Sequence, residues 1–396
     1  MNTQEIMEMG QKYVMNTYGR LPMALVRGEG AYVWDAEGKQ YLDFVSGLAV
    51  NSLGHCHPTV VEAIREQAGK LMHVSNMYWI EPQVRLAQML VENSAMDKAF
   101  FCNSGAEANE GAIKLARKYA RKYMGPEKYE IITFEKSFHG RTLAAITATA
   151  QPKYQKDLDP LPQGFKYVPF NDFAALEAAV SPNTCAIMME PVQGEGGVNV
   201  ADYGFMQKVK QLCADKHLLL IFDEVQCGLA RTGKLFAYEH FGVEPDIMTL
   251  AKAIAGGFPM GVLMAKEKVA ECFQPGDHAS TFGGNPLAAA AGCAAMSILA
   301  DQAFLAETTE KGSYFAEQLN KLQHKYAFIT DVRGKGLILG LGISVEGKHI
   351  VDTCLANELL INCVGSNVLR FLPPLIVSKE HIDTAVAIID QAMSHQ

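Results

Sequence analysis

The segment LLLIFDEVQCG, residues 218–228, contains five consecutive apolar residues followed at once by two carboxylates, Asp223 and Glu224. An unbroken apolar run of this length, closed by polar residues, is typical of a strand buried on both faces of a parallel sheet. Open α/β sheets bind their ligands at the carboxyl ends of such strands. The segment therefore predicts a parallel sheet with an anionic group at its ligand-binding edge.

Three kinds of ligand could use that carboxylate. A magnesium nucleotide would also need a G-x-x-x-x-G-K-[ST] phosphate loop, and no Gly-Lys pair in the chain is followed by Ser or Thr. A dinucleotide would need G-x-G-x-x-G after an early strand, whereas Gly334 and Gly336 come late and lack the third glycine. The remaining option is a cofactor with a basic ring nitrogen, which a fixed carboxylate would keep protonated.

Composition narrows the class of protein further. The chain has 396 residues, of which 49% are hydrophobic and 20% charged, with a net charge of −8 that argues against nucleic-acid binding. The N-terminus lacks the features of a signal peptide, and no apolar run approaches the roughly 20 residues of a membrane helix. The nine cysteines form no C-x-x-C pair, so we expect no disulfide framework and a cytoplasmic location.

The first three-quarters of the chain predicts a parallel sheet preceded by a short antiparallel segment. A helix at residues 3–15 leads into alternating strands at 26–44. From about residue 58, helices alternate with short apolar strands, which indicates parallel strands joined by right-handed crossovers. The predicted strands are 98–102, 130–134, 185–189, 218–222 and 246–250, with helices at 107–122, 205–215 and 287–299.

The last hundred residues predict a smaller α+β domain. The predicted elements are a long helix at 302–325, strands near 330–331, 336–343 and 368–371, and a final helix from residue 379. We expect residues 1–45 to pack with this small domain of residues 301–396, leaving residues 46–300 as the large, ligand-binding domain.

Lys252 is the candidate to bind a carbonyl cofactor. It lies in DIMTLAKAIAGGFPMG, after the strand at 246–250 and among apolar neighbours with no carboxylate nearby in the sequence. Desolvation lowers the pKa of such a lysine, which makes it a usable nucleophile and base. The alternative interpretation is an ordinary surface lysine.

A phosphate site is predicted where FCNSGAEANE turns from a strand into an amphipathic helix. Ser104 and Gly105 begin that helix, and the free amides of a helix start attract anions. A capping box between Ser104 and Glu107 would explain the same residues. The two interpretations are compatible, because a well-capped helix start is also a good anion site.

Two further segments contribute candidate contacts. In KSFHGRT, Phe138 could cover a ring face or pack in the core, and Arg141 at a helix start needs an anionic partner such as a substrate carboxylate. In STFGGNP, Ser280 and Thr281 offer hydroxyls, although capping of the next helix explains the motif equally well.

The two histidines of GHCHP, residues 54–58, form the only pattern that suggests a metal site. His55 and His57 have no second ligand cluster at a matching spacing, so a turn into a helix at Pro58 is the preferred interpretation and we expect no metal.

Taken together, these motifs resemble the class III (ω-amino-acid) family of pyridoxal-phosphate aminotransferases. The resemblance covers essentially the whole chain, through the ordered motifs VWDAEGKQYLDF, GHCHP, NSGAEANE, FHGRT, EPVQGEGG, FDEVQCGLARTGKLFA, GNPLA and VLRFLPPL. It implies an α/β protein of the type I transferase fold, with a mostly parallel, seven-stranded sheet and a smaller domain. It also implies pyridoxal 5'-phosphate as cofactor and a homodimer whose active sites lie at the subunit interface.

The resemblance assigns roles to individual residues. Lys252 would bind the cofactor aldehyde and Asp223 the ring nitrogen. The other implied cofactor contacts are Ser104, Gly105 and Ala106 at the phosphate, Thr281 from the partner subunit, Phe138 and Val225 on the ring faces, and Gln226 at the phenolic oxygen. Arg141, Ser280 and Arg370 would contact the substrate, and Glu195 would mask Arg370 when an ω-amine binds and release it for glutamate.

The implied reaction is amino transfer from N-acetylornithine to 2-oxoglutarate, as in arginine biosynthesis. Ornithine-specific members of the family tend to carry an aromatic residue near Leu48 that binds a free α-amine, and leucine lacks that polar group. Succinylornithine, succinyl-diaminopimelate, ornithine and 4-aminobutyrate are alternative substrates. A mutase or decarboxylase of the same fold remains open, whereas a non-catalytic member would be expected to have lost Lys252 or Asp223.

Overall fold

The structure, a computed structural model, describes residues 1–394. The strands are β1 Leu25–Glu29, β2 Tyr32–Asp35, β3 Gln40–Asp43, β4 Lys98–Cys102, β5 Glu130–Phe134, β6 Phe165–Val168, β7 Thr184–Met189, β8 Val192–Gln193, β9 Asn199–Val200, β10 Leu219–Asp223, β11 Ile247–Leu250, β12 Gly261–Ala265, β13 Ile329–Lys335, β14 Ile338–Ile343, β15 Leu359–Leu360, β16 Asn362–Val364 and β17 Val368–Phe371.

The helices flank these strands along the chain. They are α1 Thr3–Tyr13, α2 Ser46–Ala49, α3 Pro58–Ala68, α4 Glu81–Glu92, α5 Gly105–Tyr123, α6 Leu143–Ala148, α7 Pro152–Gln155, α8 Phe173–Ala179, α9 Tyr203–Lys216, α10 Glu267–Ala270, α11 Pro286–Leu299, α12 Gln302–Lys325, α13 Lys348–Ala356 and α14 Lys379–Met393, with 3-10 turns at Ala237–His240 and Lys252–Ala255.

The central sheet has seven strands in the order β4-β12-β11-β10-β7-β5-β6. All pairings from β11 to β6 are parallel, whereas β12 is antiparallel to both β11 and β4. Every residue of β7, β10, β11 and β12 is buried, which explains their unbroken apolar runs. The predicted mostly parallel α/β sheet is confirmed, with β12 as an antiparallel strand that the sequence patterns did not single out.

Two four-stranded sheets lie outside the central sheet. The sheet β1-β2-β3-β15 joins the N-terminal strands to residues from the last part of the chain, because β15 pairs in parallel with β3. The sheet β13-β14-β17-β16 is antiparallel, and α12 packs on it. The predicted domain boundaries at residues 45 and 300 stay predictions.

The segment labelled α2, residues 46–49, is a left-handed turn rather than a regular helix, and it lies between β3 and the cavity described below. Their φ angles are +45° at Ser46, +63° at Gly47, +63° at Leu48 and +69° at Ala49. Asp43 fixes the start of the turn, since its Oδ1 accepts the amides of Val45 at 2.8 Å and Ser46 at 2.9 Å. Backbone in this region costs energy for any residue with a Cβ, so the surrounding contacts must hold it in place.

No single helix within residues 1–394 is long and apolar enough to cross a membrane. The pair α11 and α12 passes that test only when joined across a 68° bend.

Candidate active site

A cavity of about 450 Å³ opens at the carboxyl ends of the parallel strands. Ten of the predicted site residues line it: Ser104, Gly105, Ala106, Phe138, Arg141, Glu195, Asp223, Val225, Gln226 and Lys252. They lie at or shortly after the ends of β4, β5, β8, β10 and β11. The carboxyl ends of strands are where open α/β sheets place their ligand contacts. Ser280, Thr281 and Arg370 do not line this cavity.

Lys252 follows β11 and begins a 3-10 turn with a left-handed φ of +50°. Burial lowers the pKa of its amine to about 8, although the carboxylates of Glu195, Asp223 and Glu190 act in the opposite direction. No carboxylate is close to Lys252 in the sequence, but the fold brings together acids that are distant along the chain. The predicted lowering of its pKa is nevertheless present.

Asp223 ends β10 and is only 3% exposed. Its Oδ2 accepts a hydrogen bond of 2.7 Å from Asn109 Nδ2 and lies 2.7 Å from His139 Nδ1, while Oδ1 accepts the Val225 amide at 3.0 Å. Thr249 Oγ1 donates to Asn109 Oδ1 at 2.7 Å, which fixes the direction of the amide. These donors stabilise the negative charge of the Asp223 carboxylate.

The other acid of the opening segment, Glu224, does not line the cavity. Its two oxygens accept the amides of Ala237 at 2.6 Å and Tyr238 at 2.7 Å, so it anchors the turn at Ala237–His240. Adjacent carboxylates on one strand point to opposite faces, and here only Asp223 faces the ligand site.

The start of α5 has the geometry of an anion site. Ser104 is the N-cap, and its Oγ accepts the amide of Glu107 at 3.2 Å. The predicted capping box is not formed, because the Glu107 carboxylate accepts the amide of Asn103 at 2.6 Å instead of that of Ser104. Gly105 and Ala106 occupy the first turn, where amides have no acceptor within the helix. A Cβ on Gly105 would lie 2.8 Å from Val225 Cγ1, so only glycine fits.

Glu195 and Arg370 form a partly buried ion pair at the edge of the cavity. The Arg370 Nη1 atom lies 2.6 Å from Glu195 Oε1, and the arginine is 1% exposed. Burial pushes the pKa of Glu195 upward, but the charges of Arg370 and Lys252 outweigh it and hold the pKa below its usual value. Arg370 lies on β17, so the structure joins two residues that are 175 positions apart.

The remaining predicted contacts lie around the rim. Arg141 is exposed over the ring of Tyr154, 4.0 Å from its centre, and has no ion-pair partner within residues 1–394. Ser280 Oγ accepts a hydrogen bond of 3.1 Å from Asn103 Nδ2. Asn103 lines the cavity, so Ser280 lies directly behind it. Thr281 is exposed and lies outside the cavity of its own chain.

Sequence reasoning assigned no role to four residues of the site: Asn109, Thr249, His139 and Glu190. Glu190 is 5% exposed, its Oε2 accepts the Phe138 amide at 3.0 Å, and burial together with the charge of Asp223 raises its pKa well above the usual range. The available signal for Asn109 was a polar residue on the otherwise apolar, buried face of α5. Glu190 lies in the same motif, EPVQGEGG, as the assigned Glu195. Thr249 carried no signal, because Thr is common in strands.

These residues fit a pyridoxal phosphate cofactor. The cavity combines a lysine, a carboxylate surrounded by donors, a helix start that must carry glycine, and Gln226, whose buried Oε1 has no hydrogen-bond partner in the part of the chain described. Lysine, ring-nitrogen acid and phosphate site are the parts that such a cofactor needs.

Comparisons with known proteins agree on one family. The family model for class III aminotransferases matches residues 13–393. An acetylornithine aminotransferase of Methanocaldococcus jannaschii is 53% identical and aligns over 100% of this chain and 99% of its own, and one of Caldanaerobacter subterraneus is 57% identical over 97% and 98%. Among solved structures, an ornithine aminotransferase of Toxoplasma gondii is 33% identical with a TM-score of 0.96 and coverage of 100% and 96%. An acetylornithine aminotransferase of Elizabethkingia anophelis is 36% identical with a TM-score of 0.89 and full coverage of both chains.

Proposed function

Since this chain belongs to the class III aminotransferases, we propose that it transfers the ω-amine of N-acetylornithine to 2-oxoglutarate. The products are N-acetylglutamate semialdehyde and glutamate. The observation that carries the proposal is the Glu195–Arg370 ion pair beside Lys252, since one site must accept both a substrate with one carboxylate and another with two. Sequence relatives at about half identity over their full length bear the acetylornithine name, which supports this choice of donor.

Pyridoxal phosphate, when bound, supplies an electron sink for charge that develops at the carbon bearing the amine. Asp223 would keep the proton on the ring nitrogen, because two side-chain donors hold its carboxylate in place. The amides of Gly105 and Ala106 and the side chain of Ser104 would hold the phosphate. Thr281 of the partner subunit would add a further contact to it. Phe138 and Val225 would enclose the ring, and Gln226 would contact its phenolic oxygen.

Lys252 would act as the base once its amine is free. With a pKa of about 8, a useful fraction of the amine is neutral at physiological pH, so Nζ can take a proton from the carbon that bears the substrate amine. The neighbouring carboxylates stabilise the ammonium that results. Arg141 would orient the α-carboxylate of N-acetylornithine, since its guanidinium is exposed at the rim without an ion-pair partner in residues 1–394.

Glu195 would act as the gate between the two substrates. Paired with Arg370, it neutralises the cation that a second carboxylate would need, and the apolar chain of N-acetylornithine can bind. For glutamate or 2-oxoglutarate the pair must open, so that Arg370 can bind the distal carboxylate. Glu195→Gln removes the charge that masks Arg370, and we expect the donor preference to shift toward glutamate by roughly tenfold or more. An unchanged ratio of kcat/KM for the two donors would contradict the gate.

Absorbance of the holoenzyme tests the function directly. N-acetylornithine, added without any keto acid, should convert the visible cofactor band to the spectrum of the amine form, and 2-oxoglutarate should restore it. A band that responds only to another amine, such as ornithine or 4-aminobutyrate, would overturn the substrate and keep the family. Retention of the band with every ω-amine would overturn amino transfer itself.

We further propose a cytoplasmic homodimer. The nine cysteines are all free thiols, which supports a reducing compartment. Large apolar side chains are exposed around the loop that carries Ser280 and Thr281, which supports a subunit interface beside the active site.

A further inference from the structure

Arg231 is a fully buried cation whose side chain contacts only neutral oxygens. It is 1% exposed, and its Nη1 donates to the carbonyls of Leu337 at 3.0 Å and Pro373 at 2.5 Å. Nη2 donates to Ser52 Oγ at 2.9 Å, and Nε has no partner among residues 1–394. Burying a guanidinium without a carboxylate partner costs desolvation free energy. We therefore expect Arg231 to act through the geometry of its hydrogen-bond donors rather than through an ion pair.

The three acceptors lie on three separate segments of the chain. Ser52 follows the left-handed turn at residues 46–49, Leu337 lies between β13 and β14, and Pro373 comes three residues after Arg370. Arg231 itself follows Gln226 by five residues, on the loop after β10 that lines the cavity. One planar side chain thus spans from the cofactor side of the site to the end of the strand that carries Arg370.

The backbone around Arg231 is held as firmly as its side chain. Leu229 and Ala230, directly before it, have left-handed φ angles of +54° and +70°. The Leu337 amide donates to the Arg231 carbonyl at 3.0 Å, which adds a second link to the same turn. Strained backbone persists only where its surroundings determine it, so the direction of this side chain is imposed by the fold.

We propose that Arg231 is a positioning residue that sets the distance of Arg370 from Lys252 and thereby selects for the second carboxylate of glutamate and 2-oxoglutarate. The inference rests on the proposed function, in which Arg370 binds that carboxylate. Arg231 makes no contact with the segments of Arg141 or Lys252 among its hydrogen bonds within residues 1–394. N-acetylornithine does not use Arg370, so its KM should not depend on Arg231.

The test compares Arg231→Lys with Ser52→Ala in the holoenzyme. Lysine keeps the charge but has no planar fork, and Ser52→Ala removes a single acceptor, so it serves if Arg231→Lys fails to fold. We would measure the dissociation constant of glutarate, an unreactive five-carbon dicarboxylate, by calorimetry, together with KM for each substrate in its own half-reaction. Arg231→Lys should weaken the binding of glutarate and 2-oxoglutarate by roughly tenfold and leave the KM for N-acetylornithine unchanged. Ser52→Ala should weaken the binding of the same two dicarboxylates by a smaller factor.

Arg117→Lys is the matched control. Like Arg231, Arg117 donates its hydrogen bonds to neutral oxygens, here the carbonyls of Tyr129 at 3.1 Å and Gln163 at 2.6 Å, but on segments remote from Arg370. Equal changes in KM for N-acetylornithine and 2-oxoglutarate would overturn the inference. An unchanged dissociation constant of glutarate in both Arg231→Lys and Ser52→Ala would also overturn it. Arg370→Lys separates the two levels: if it too leaves glutarate binding unchanged, the proposed role of Arg370 falls, and if it weakens binding while Arg231→Lys does not, only the inference falls.

Discussion

Lys252 occupies an unfavourable position in two respects. Its φ of +50° is left-handed, and burial lowers its pKa to about 8 among three carboxylates. Both costs are tolerated because the 3-10 turn that it begins packs against α11 and because the acids stabilise the charged form. Strain and a displaced pKa on the same residue are typical of a functional site.

The displaced pKa predicts how the stability of the apoenzyme depends on pH. The pKa of Lys252 is about 8 in the folded protein against 10.5 for an ordinary lysine, so the unfolded chain binds more protons between these pH values. Below pH 8 the folded protein bears the full cost of burying the charged Lys252 amine. This cost disappears as the pH rises from the folded to the unfolded pKa, so the free energy of unfolding should increase with pH over that range. Lys252→Met cannot titrate and should lack the rise. Free energies of unfolding of both apoenzymes from pH 7 to 10 measure it, and parallel curves would contradict the prediction.

Single residues could be predicted from the sequence where local pattern marks them. Lys252 and Asp223 follow apolar strands, and Ser104 begins an amphipathic helix, so their places in the site follow from their neighbours. Asn109 and Thr249 could not be assigned, because the reason for each is a partner that is 114 or 140 positions away. Hydrogen-bond partners across a sheet depend on register and strand order, which local patterns do not determine.

Among the elements, the left-handed turn at residues 46–49, like β12, is one that no sequence pattern predicted. Besides the Asp43 carboxylate, Ser46 Oγ holds the turn by donating to the Leu372 carbonyl at 2.5 Å, next to the end of β17. Leu48 in this turn is 41% exposed, and its carbonyl lies 3.4 Å from Gln226 Nε2. The central strands β4, β5, β7, β10 and β11 and the long helices α5, α9, α11 and α12 were predictable from their hydrophobic patterns, whereas this turn is imposed by contacts distant in the sequence.

Leu48→Gly compared with Leu48→Ala measures the strain in that turn. Both variants lose the same half-exposed side chain, but only alanine keeps the Cβ that a left-handed residue disfavours. We expect the glycine variant to be more stable by about 0.5–1 kcal/mol, after the larger backbone entropy of unfolded glycine is subtracted. Denaturant unfolding supplies the free energies. Glu62, exposed in the middle of α3, is the control site, and there alanine should be the more stable of the pair.

At the scale of the whole molecule, one exposed surface beside the active site is rich in large apolar side chains. The aromatic patch consists of apolar side chains that are each at least 45% exposed: Leu71, Met72, Met77, Tyr78, Trp79 and Phe282. Asn76 ties its two loops together by donating to the carbonyls of Ser280 at 3.1 Å and Gly283 at 2.9 Å. Monomeric proteins rarely expose contiguous apolar surface of this kind, and the patch adjoins Thr281, which its own cavity does not use.

Trp79→Asp should therefore separate the subunits and weaken cofactor binding together. Trp79 is 94% exposed in a single chain, so a carboxylate there costs little in the monomer but must be desolvated in an interface. If Thr281 of the partner subunit contacts the phosphate, the monomer loses that contact, and its dissociation constant for pyridoxal phosphate should rise. Sedimentation velocity gives the mass and equilibrium dialysis the affinity.

The control for this pair of measurements is Tyr203→Asp. Tyr203 is 64% exposed at the start of α9 and lies outside the aromatic patch, so the substitution adds the same charge without touching the proposed interface. A Trp79→Asp protein that stays dimeric with unchanged cofactor affinity would show that the patch is not the interface. A monomer that still binds pyridoxal phosphate as tightly as the wild type would show instead that each cavity is complete within one chain, and Thr281 would lose its proposed role while the dimer stands.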